Sequence, residues 1–151
     1  EHVIIPVVNE FKQAAQNKNL QLKYSKDKSS SIITYIDNYT VYQTLANLLD
    51  NAIKYTEEGE ILVTLGRADN HFIITITDTG VGIREDYITN LFEKFSQEEA
   101  GYTRRYEGSG LGLALVKEYF EINNIDLAVE SKKGVGTTFK LKVPISNNIN
   151  Q

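Results

Sequence analysis

The chain contains no cysteine, which removes disulfide frameworks, thiolate metal sites and cysteine nucleophiles in one step and fits a reducing compartment. Histidine is nearly as scarce. His2 and His71 are the only two, far apart in sequence, so a zinc site is not expected. No apolar run approaches the length of a membrane span and no basic-then-apolar leader precedes the first helix. A cytoplasmic location is therefore expected, whether or not a parent protein is membrane-anchored. Positive charge is in deficit: 16 Lys and Arg stand against 20 Asp and Glu, a net charge of −4. That balance argues against binding nucleic acid by phosphate neutralisation, so any anion must be met by a local group of cations or N–H donors.

What is present is an ordinary globular composition, 41% hydrophobic and 24% charged over 151 residues. A chain of this length buries roughly two-thirds of the surface it exposes when unfolded, and a single domain over residues 1–151 is expected. The opening "EHVIIPVVNEFKQAAQNKN" has no initiator methionine and is read as the start of a piece of a longer chain. Residues 3–18 place Val3, Val7, Phe11 and Ala14 at helical spacing and end in the turn Asn17-Lys18-Asn19. "LQLKYS" from Leu20 and "SIITYI" from Ser31 read as strands, followed by a helix from about Tyr39 to Tyr55. "ILVTLGRADNHFIITITD" and "DLAVESKKGVGTTFKLKV" read as two strand pairs. Between them lie a short helix near "DYITNLFEKF", a polar stretch, and a helix over residues 109–122 with Leu111, Ala114, Leu115, Tyr119 and Ile122 on one face. Strands in runs with helices gathered between them predict an α+β two-layer sandwich, its sheet mostly antiparallel.

Three features carry chemistry. In "NLLDNAIKYT", Asn47, Asn51 and Lys54 recur at i, i+4 and i+7, beside an apolar face of Val41, Leu45, Leu48, Ala52 and Tyr55. Asparagine is a poor mid-helix residue because its amide competes for backbone hydrogen bonds. A solvated face accounts for the stripe, and so does a cavity wall where amide oxygens meet Mg²⁺ and an ammonium meets phosphate. In "ITITDTGVGI", alternation puts Asp78 on the side of Phe72, Ile74 and Ile76. There it either receives an N–H from a ligand or turns to solvent at the Gly80 bend. In "EGSGLGLALVKEYF", Gly108, Gly110 and Gly112 lead into a helix whose N–H groups suit an anion, although the spacing is neither a Walker A loop nor a dinucleotide fingerprint. Lys94, Arg104 and Arg105 supply cations nearby.

The order "NLLDNAIKYT", "DTGVGI", "LFEKFSQ", "GSGLGLAL", "GVGTTF" resembles the catalytic ATP-binding domain of bacterial sensor histidine kinases, in the superfamily of gyrase, Hsp90 and MutL. The resemblance spans nearly the whole chain. It implies a sandwich of the Bergerat type, a mixed sheet covered on one face by about three helices, binding Mg²⁺ and ATP. By that resemblance Asn51 holds Mg²⁺ with Asn47 assisting, and Lys54 and Tyr55 approach the phosphates. Asp78 accepts the adenine amino group, Gly80, Gly82 and Ile83 let backbone near the ring, and Thr137 supports the adenine through water. Gly108, Ser109, Gly110, Leu111, Gly112 and Leu113 line the phosphates, with Lys94, Arg104 or Arg105 reaching in from a lid. Asn123-Asn124 stands where many members have a Gly-Gly pair, and asparagine tolerates the left-handed turn. The phosphoacceptor motif is absent, since "HVIIP" lacks its acid and brings proline one place early. His2 is therefore not the phosphorylated residue.

The implied activity is histidine kinase catalysis: the γ-phosphoryl group of ATP passes to a histidine on a phosphoacceptor dimerisation domain of the same protein and reaches a response regulator indirectly. No nucleic acid is involved, and the isolated domain is expected to be monomeric. Same-fold ATPases and serine kinases are the nearest alternative. Those carry a water-activating glutamate where Asn47 stands, and an amide cannot deprotonate water. A module that binds nucleotide without transferring phosphate is the alternative from another class.

Overall fold

The computed structural model describes residues 1–27, 37–94 and 112–145. The expected strand at "SIITYI", the polar stretch with Arg104 and Arg105, and the glycine-rich residues Gly108, Ser109, Gly110 and Leu111 lie outside the described residues.

In chain order the elements are α1 (Ile4–Asn17), β1 (Gln21–Lys26), α2 (Asn38–Tyr55), β2 (Glu60–Ala68), β3 (His71–Asp78), α3 (Glu85–Ile88), α4 (Gly112–Asn123), β4 (Asp126–Lys132) and β5 (Gly136–Pro144). The five strands form one sheet in the order β1-β2-β3-β5-β4. β1 runs parallel to β2, and every other pairing is antiparallel. The two hairpins follow from local chemistry. Asp69 takes the left-handed conformation (φ 51°) between β2 and β3, and Gly134 does so (φ 78°) between β4 and β5.

Strand alternation decides where the core lies. Ile61, Val63, Leu65, Phe72, Ile74, Ile76, Phe139, Leu141 and Val143 are buried on one sheet face beneath the helices. The opposite face shows half-buried Thr64, Thr75, Thr77 and Thr138, with Thr77 and Thr138 hydroxyls 3.1 Å apart. α2 is the spine of the helical layer, touching α1, α4 and β3. It starts at Asp37, whose carboxylate accepts from the N–H groups of Tyr39 and Thr40, each at 3.2 Å. The bond from the Thr40 hydroxyl holds that carboxyl below its usual range. Leu45, Leu48 and Leu49 are essentially inaccessible to solvent, each contributing about 1.5–3 kcal/mol through burial.

Two expectations need correction. α1 buries Ile4, Val7, Val8 and Ala15, while Ala14 is exposed. The buried stripe is turned toward positions 4, 8 and 15, while Val7 of the expected face is fully buried and Val3 and Phe11 pack partly buried against the core. α4 buries Ala114, Val116 and Phe120, and leaves Leu115 at 41% and Ile122 at 73% exposure. That helix carries two apolar stripes, and the one holding the phenylalanine went inward. The short helix expected near "DYITNLFEKF" is present as a single turn, Glu85–Ile88. Asn19 (φ 59°) and Asn124 (φ 52°) take the left-handed conformation that ends α1 and α4.

Candidate functional site

The polar stripe of α2 starts from Asn47, Asn51 and Lys54, all half-buried. The Asn47 amide N–H donates to the carbonyl of Gln43 at 2.9 Å, so the nitrogen is held back on the helix and Oδ1 is the atom presented. That oxygen faces the first turn of α4: a Cβ added at Gly112 would lie 3.0 Å from it. Lys54 extends its ammonium over the Tyr55 ring, 5.0 Å from the centroid. Leu113 is partly buried against the core.

Asp78 ends β3 opposite Thr137 of β5 and Ile61 of β2. It is 7% exposed, a carboxylate on an apolar face. Burial pushes its pKa above the usual carboxylate value, and backbone N–H groups of Gly80 and Thr137 partly offset that push. The Gly80 bond is 2.9 Å to Oδ1. Gly80 is obligatory for want of space. A Cβ there would lie 2.4 Å from the Tyr55 carbonyl oxygen and 2.8 Å from both Asp78 Oδ1 and Thr56 Oγ1. Gly82, in the left-handed region at φ 63°, would drive a Cβ to 2.0 Å from the Lys132 carbonyl oxygen. The turn after β3 is therefore pressed between the end of α2 and the β4–β5 hairpin.

Two cross-ties complete this end. Val81 N–H donates to the Tyr55 carbonyl at 3.0 Å, and Gly134 N–H to the Val81 carbonyl at 2.8 Å. Ile83 N–H donates to Ser131 Oγ at 2.8 Å. That hydroxyl bonds the Gly136 carbonyl at 3.0 Å and meets Thr137 Oγ1 at 2.8 Å. Thus Asp78, Gly80, Gly82, Ile83 and Thr137 are drawn into one cluster, which α2 continues through Tyr55, Lys54 and Asn51 to Asn47 and Gly112. Lys94 stands apart, with its ammonium 3.0 Å from Glu118 on α4.

Ser131 and Thr56 were missed. Ser131 carried a signal, as the polar residue on the inward parity of Leu127 and Val129 in β4. Thr56 is fully buried with no hydrogen-bond partner for its hydroxyl among the described residues, a fact with no counterpart in a sequence pattern.

The sequence profile of the family described as "Histidine kinase-, DNA gyrase B-, and HSP90-like ATPase" matches residues 36–147. The chain is 35% identical over 145 residues to the autoinducer 2 sensor kinase/phosphatase LuxQ of Vibrio parahaemolyticus, covering 92% of this chain and 17% of that protein. It therefore spans about a sixth of the length of that curated relative. Among solved structures, full-length ShkA in complex with AMPPNP superposes with a TM-score of 0.81 at 27% identity, covering 96% of this chain and 30% of that one. The nucleotide-free catalytic domain of histidine kinase ThkA gives a TM-score of 0.81 at 23% identity over 95% of this chain and 91% of that one, a likeness of fold.

Proposed function

The chain belongs to the histidine kinase-, DNA gyrase B- and HSP90-like ATPase family, and from that premise we propose that it binds Mg-ATP and donates the γ-phosphoryl group to a histidine. The acceptor lies on a separate dimerisation domain of the same protein, and a response regulator receives the phosphoryl group afterwards. Residues 1–151 act as the catalytic domain of that longer protein.

The observation that carries the reading is the desolvated Asp78 carboxylate. Although two backbone N–H groups bond to it, burial still raises its pKa. An exocyclic amino group of adenine supplies a further N–H donor at that spot, and a guanine carbonyl would meet the carboxylate with repulsion. The backbone of Gly80 and Gly82 lets the ring approach, and Ile83 covers it. Thr137, whose hydroxyl meets Ser131, supports the adenine through water.

At the other end, Lys54 approaches the phosphates with Tyr55 beneath it, and Gly112 and Leu113 open the helix whose N-terminal N–H groups favour anions. Gly108, Ser109, Gly110 and Leu111 complete that wall, with Arg104 or Arg105 as the remaining cations. Lys94 belongs with them if it exchanges its ion pair with Glu118 for phosphate. The donor set fits Mg²⁺. Asn47 has its nitrogen bonded to Gln43 and its oxygen to offer, and Asn51 presents a second amide one turn on. Magnesium takes one or two protein oxygens alongside phosphates and water. When bound, it would neutralise charge on the phosphate oxygens. Asn47 also sets the reaction class: an amide takes no proton from water, so ATP is held for an acceptor and is not hydrolysed briskly.

The test is to incubate the chain with γ-labelled ATP and the acceptor domain of its parent protein. Label that is acid-labile and base-stable, on histidine, is expected. ATP binding without phosphohistidine would reduce the proposal to nucleotide binding alone, and brisk hydrolysis without a partner would move the chain to the ATPase class.

A further inference from the structure

We propose that Lys18, which caps the C-terminus of α1 outside every motif of the nucleotide site, is a positioning residue for that site. The proposal rests on the ATP-binding reading above and adds a residue to it.

The argument starts at the end of α2. A helix leaves its last four carbonyls without intrahelical partners, and a left-handed glycine is the common way of closing them. Here the residue after the helix, Thr56, is extended (φ −105°, ψ 122°), and the first glycine downstream is Gly59. The closure comes from outside. Lys18 Nζ lies 2.7 Å from the Ile53 carbonyl oxygen, 3.1 Å from that of Lys54 and 2.9 Å from that of Thr56. An ammonium has three hydrogens, and three carbonyls take them. A positive charge at a helix C-terminus is also favoured by the peptide dipoles.

The turn that ends α1 aims this side chain. Lys18 N–H donates to Ala15 at 3.0 Å, and Leu20 N–H donates to the same carbonyl at 2.9 Å across left-handed Asn19. The fourth end carbonyl of α2, that of Tyr55, accepts Val81 N–H at 3.0 Å from the turn after Asp78. The last turn of α2 is therefore held from two sides, by Lys18 and by the proposed nucleotide turn.

Slack is small here. The space over Gly80 is closed by the Tyr55 carbonyl, Thr56 Oγ1 and Asp78 Oδ1, none farther than 2.8 Å from a Cβ placed there. A displaced end of α2 must therefore move Gly80 and, through the Gly80 N–H bond, the Asp78 carboxylate. Lys54 and Tyr55 ride on the same turn. Lys18 touches none of the reacting groups, yet it fixes the piece of chain against which they are set.

The experiment compares wild type with Lys18→Arg, Lys18→Gln and Lys18→Met. ATP affinity is read by calorimetry, phosphotransfer kinetics with the acceptor domain, and amide hydrogen exchange without nucleotide. Lys18→Met keeps the aliphatic stem and removes the ammonium. It is expected to weaken ATP binding about tenfold and to act on KM more than on kcat. Lys18→Gln falls between, and Lys18→Arg recovers most of the affinity because it restores charge and donors. Exchange should quicken at Val81 and Thr56 and stay unchanged at sheet amides such as Val63 and Ile76. Uniform acceleration, or wild-type affinity in Lys18→Met, overturns the proposal. Asp78→Asn separates the two readings: if it binds ATP as well as wild type, the site reading fails, whatever Lys18 does. If it loses ATP while Lys18→Met keeps it, only the role of Lys18 fails. Should Lys18→Met not fold, Lys18→Gln and Lys18→Arg carry the same comparison.

Discussion

The two ends of the proposed nucleotide site are built differently. Around Asp78 the backbone itself is the binding surface: Gly80 and Thr137 N–H groups meet the carboxylate, Val81 and Gly134 tie the turn down, and Ser131 bridges Ile83 to Gly136. Around Asn47 the surface is made of side chains standing on one helix, with the Asn47 nitrogen bonded to Gln43 and the Lys54 ammonium resting over a ring. A base has one shape and one hydrogen-bonding edge, so a surface fixed by strand register suits it. A chain of phosphates with a metal changes geometry during reaction, and side chains able to turn suit that better. On the proposed function, selectivity resides at the first end and reactivity at the second.

The comparison breaks most directly at Gly80. Gly80→Ala puts a methyl group 2.4 Å from the Tyr55 carbonyl oxygen, and neither that backbone nor Asp78 can retreat without giving up its own bonds. ATP affinity is expected to fall on the order of 100-fold or more, with a loss of about 1–3 kcal/mol in stability from overpacking; calorimetry and urea denaturation would measure the two. An unchanged affinity would mean that the first end is not fixed at all. Next in size is Asp78→Asn. It keeps the shape and the acceptor oxygen for Gly80 and removes the charge, so ATP affinity should drop roughly 10–100-fold. The drop should be the same with and without Mg²⁺, because the change lies away from the phosphates.

The fixed end was also the more legible in sequence. Period-two alternation in β3 put Asp78 on the buried face, and the glycines marked where backbone comes close. What alternation cannot show is which groups close around the carboxylate. Thr137 meets it through register between strands far apart in sequence, Ser131 joins the cluster through Thr137, and Thr56 arrives from the end of a helix. The same limit explains α4. Periodicity offered two apolar stripes on that helix, and only packing against a sheet assembled from distant segments selects Val116 and Phe120 over Leu115 and Ile122. Lys18 was illegible for a different reason, since its partners are carbonyl oxygens, which every residue has.

Asn51→Ala tests that second end. In the proposed site, removing one amide oxygen deprives Mg²⁺ of a ligand and leaves the Asp78 cluster untouched. ATP affinity without metal should stay within about twofold, and the gain that Mg²⁺ brings to wild type should shrink about tenfold or vanish. A titration of ATP with and without Mg²⁺ separates these. If Asn51→Ala weakened binding equally in both conditions, the asparagine would be supporting structure, and the division of labour between the two ends would be lost.

The smallest effect sharpens the same contrast through pH. Burial raises the pKa of Asp78 in the folded chain above the value it has when unfolded. Between those two values the folded state keeps a proton that the unfolded state has released. Stability then falls as pH rises through that window, and above it the ionised carboxylate costs the fold a constant amount. Asp78→Asn carries no such proton, and the other carboxylates are common to both proteins and cancel. The stability of Asp78→Asn relative to wild type should therefore rise as pH climbs above the ordinary aspartate range and level off once the raised pKa of the folded state is passed, measured by urea denaturation at a series of pH values. An advantage that grows with pH, in a variant that binds ATP less well, would mark Asp78 as a charge kept for the ligand at some expense to the fold. A flat difference would mean that the carboxylate is as well solvated as the amides of α2, and that the two ends are not built differently after all.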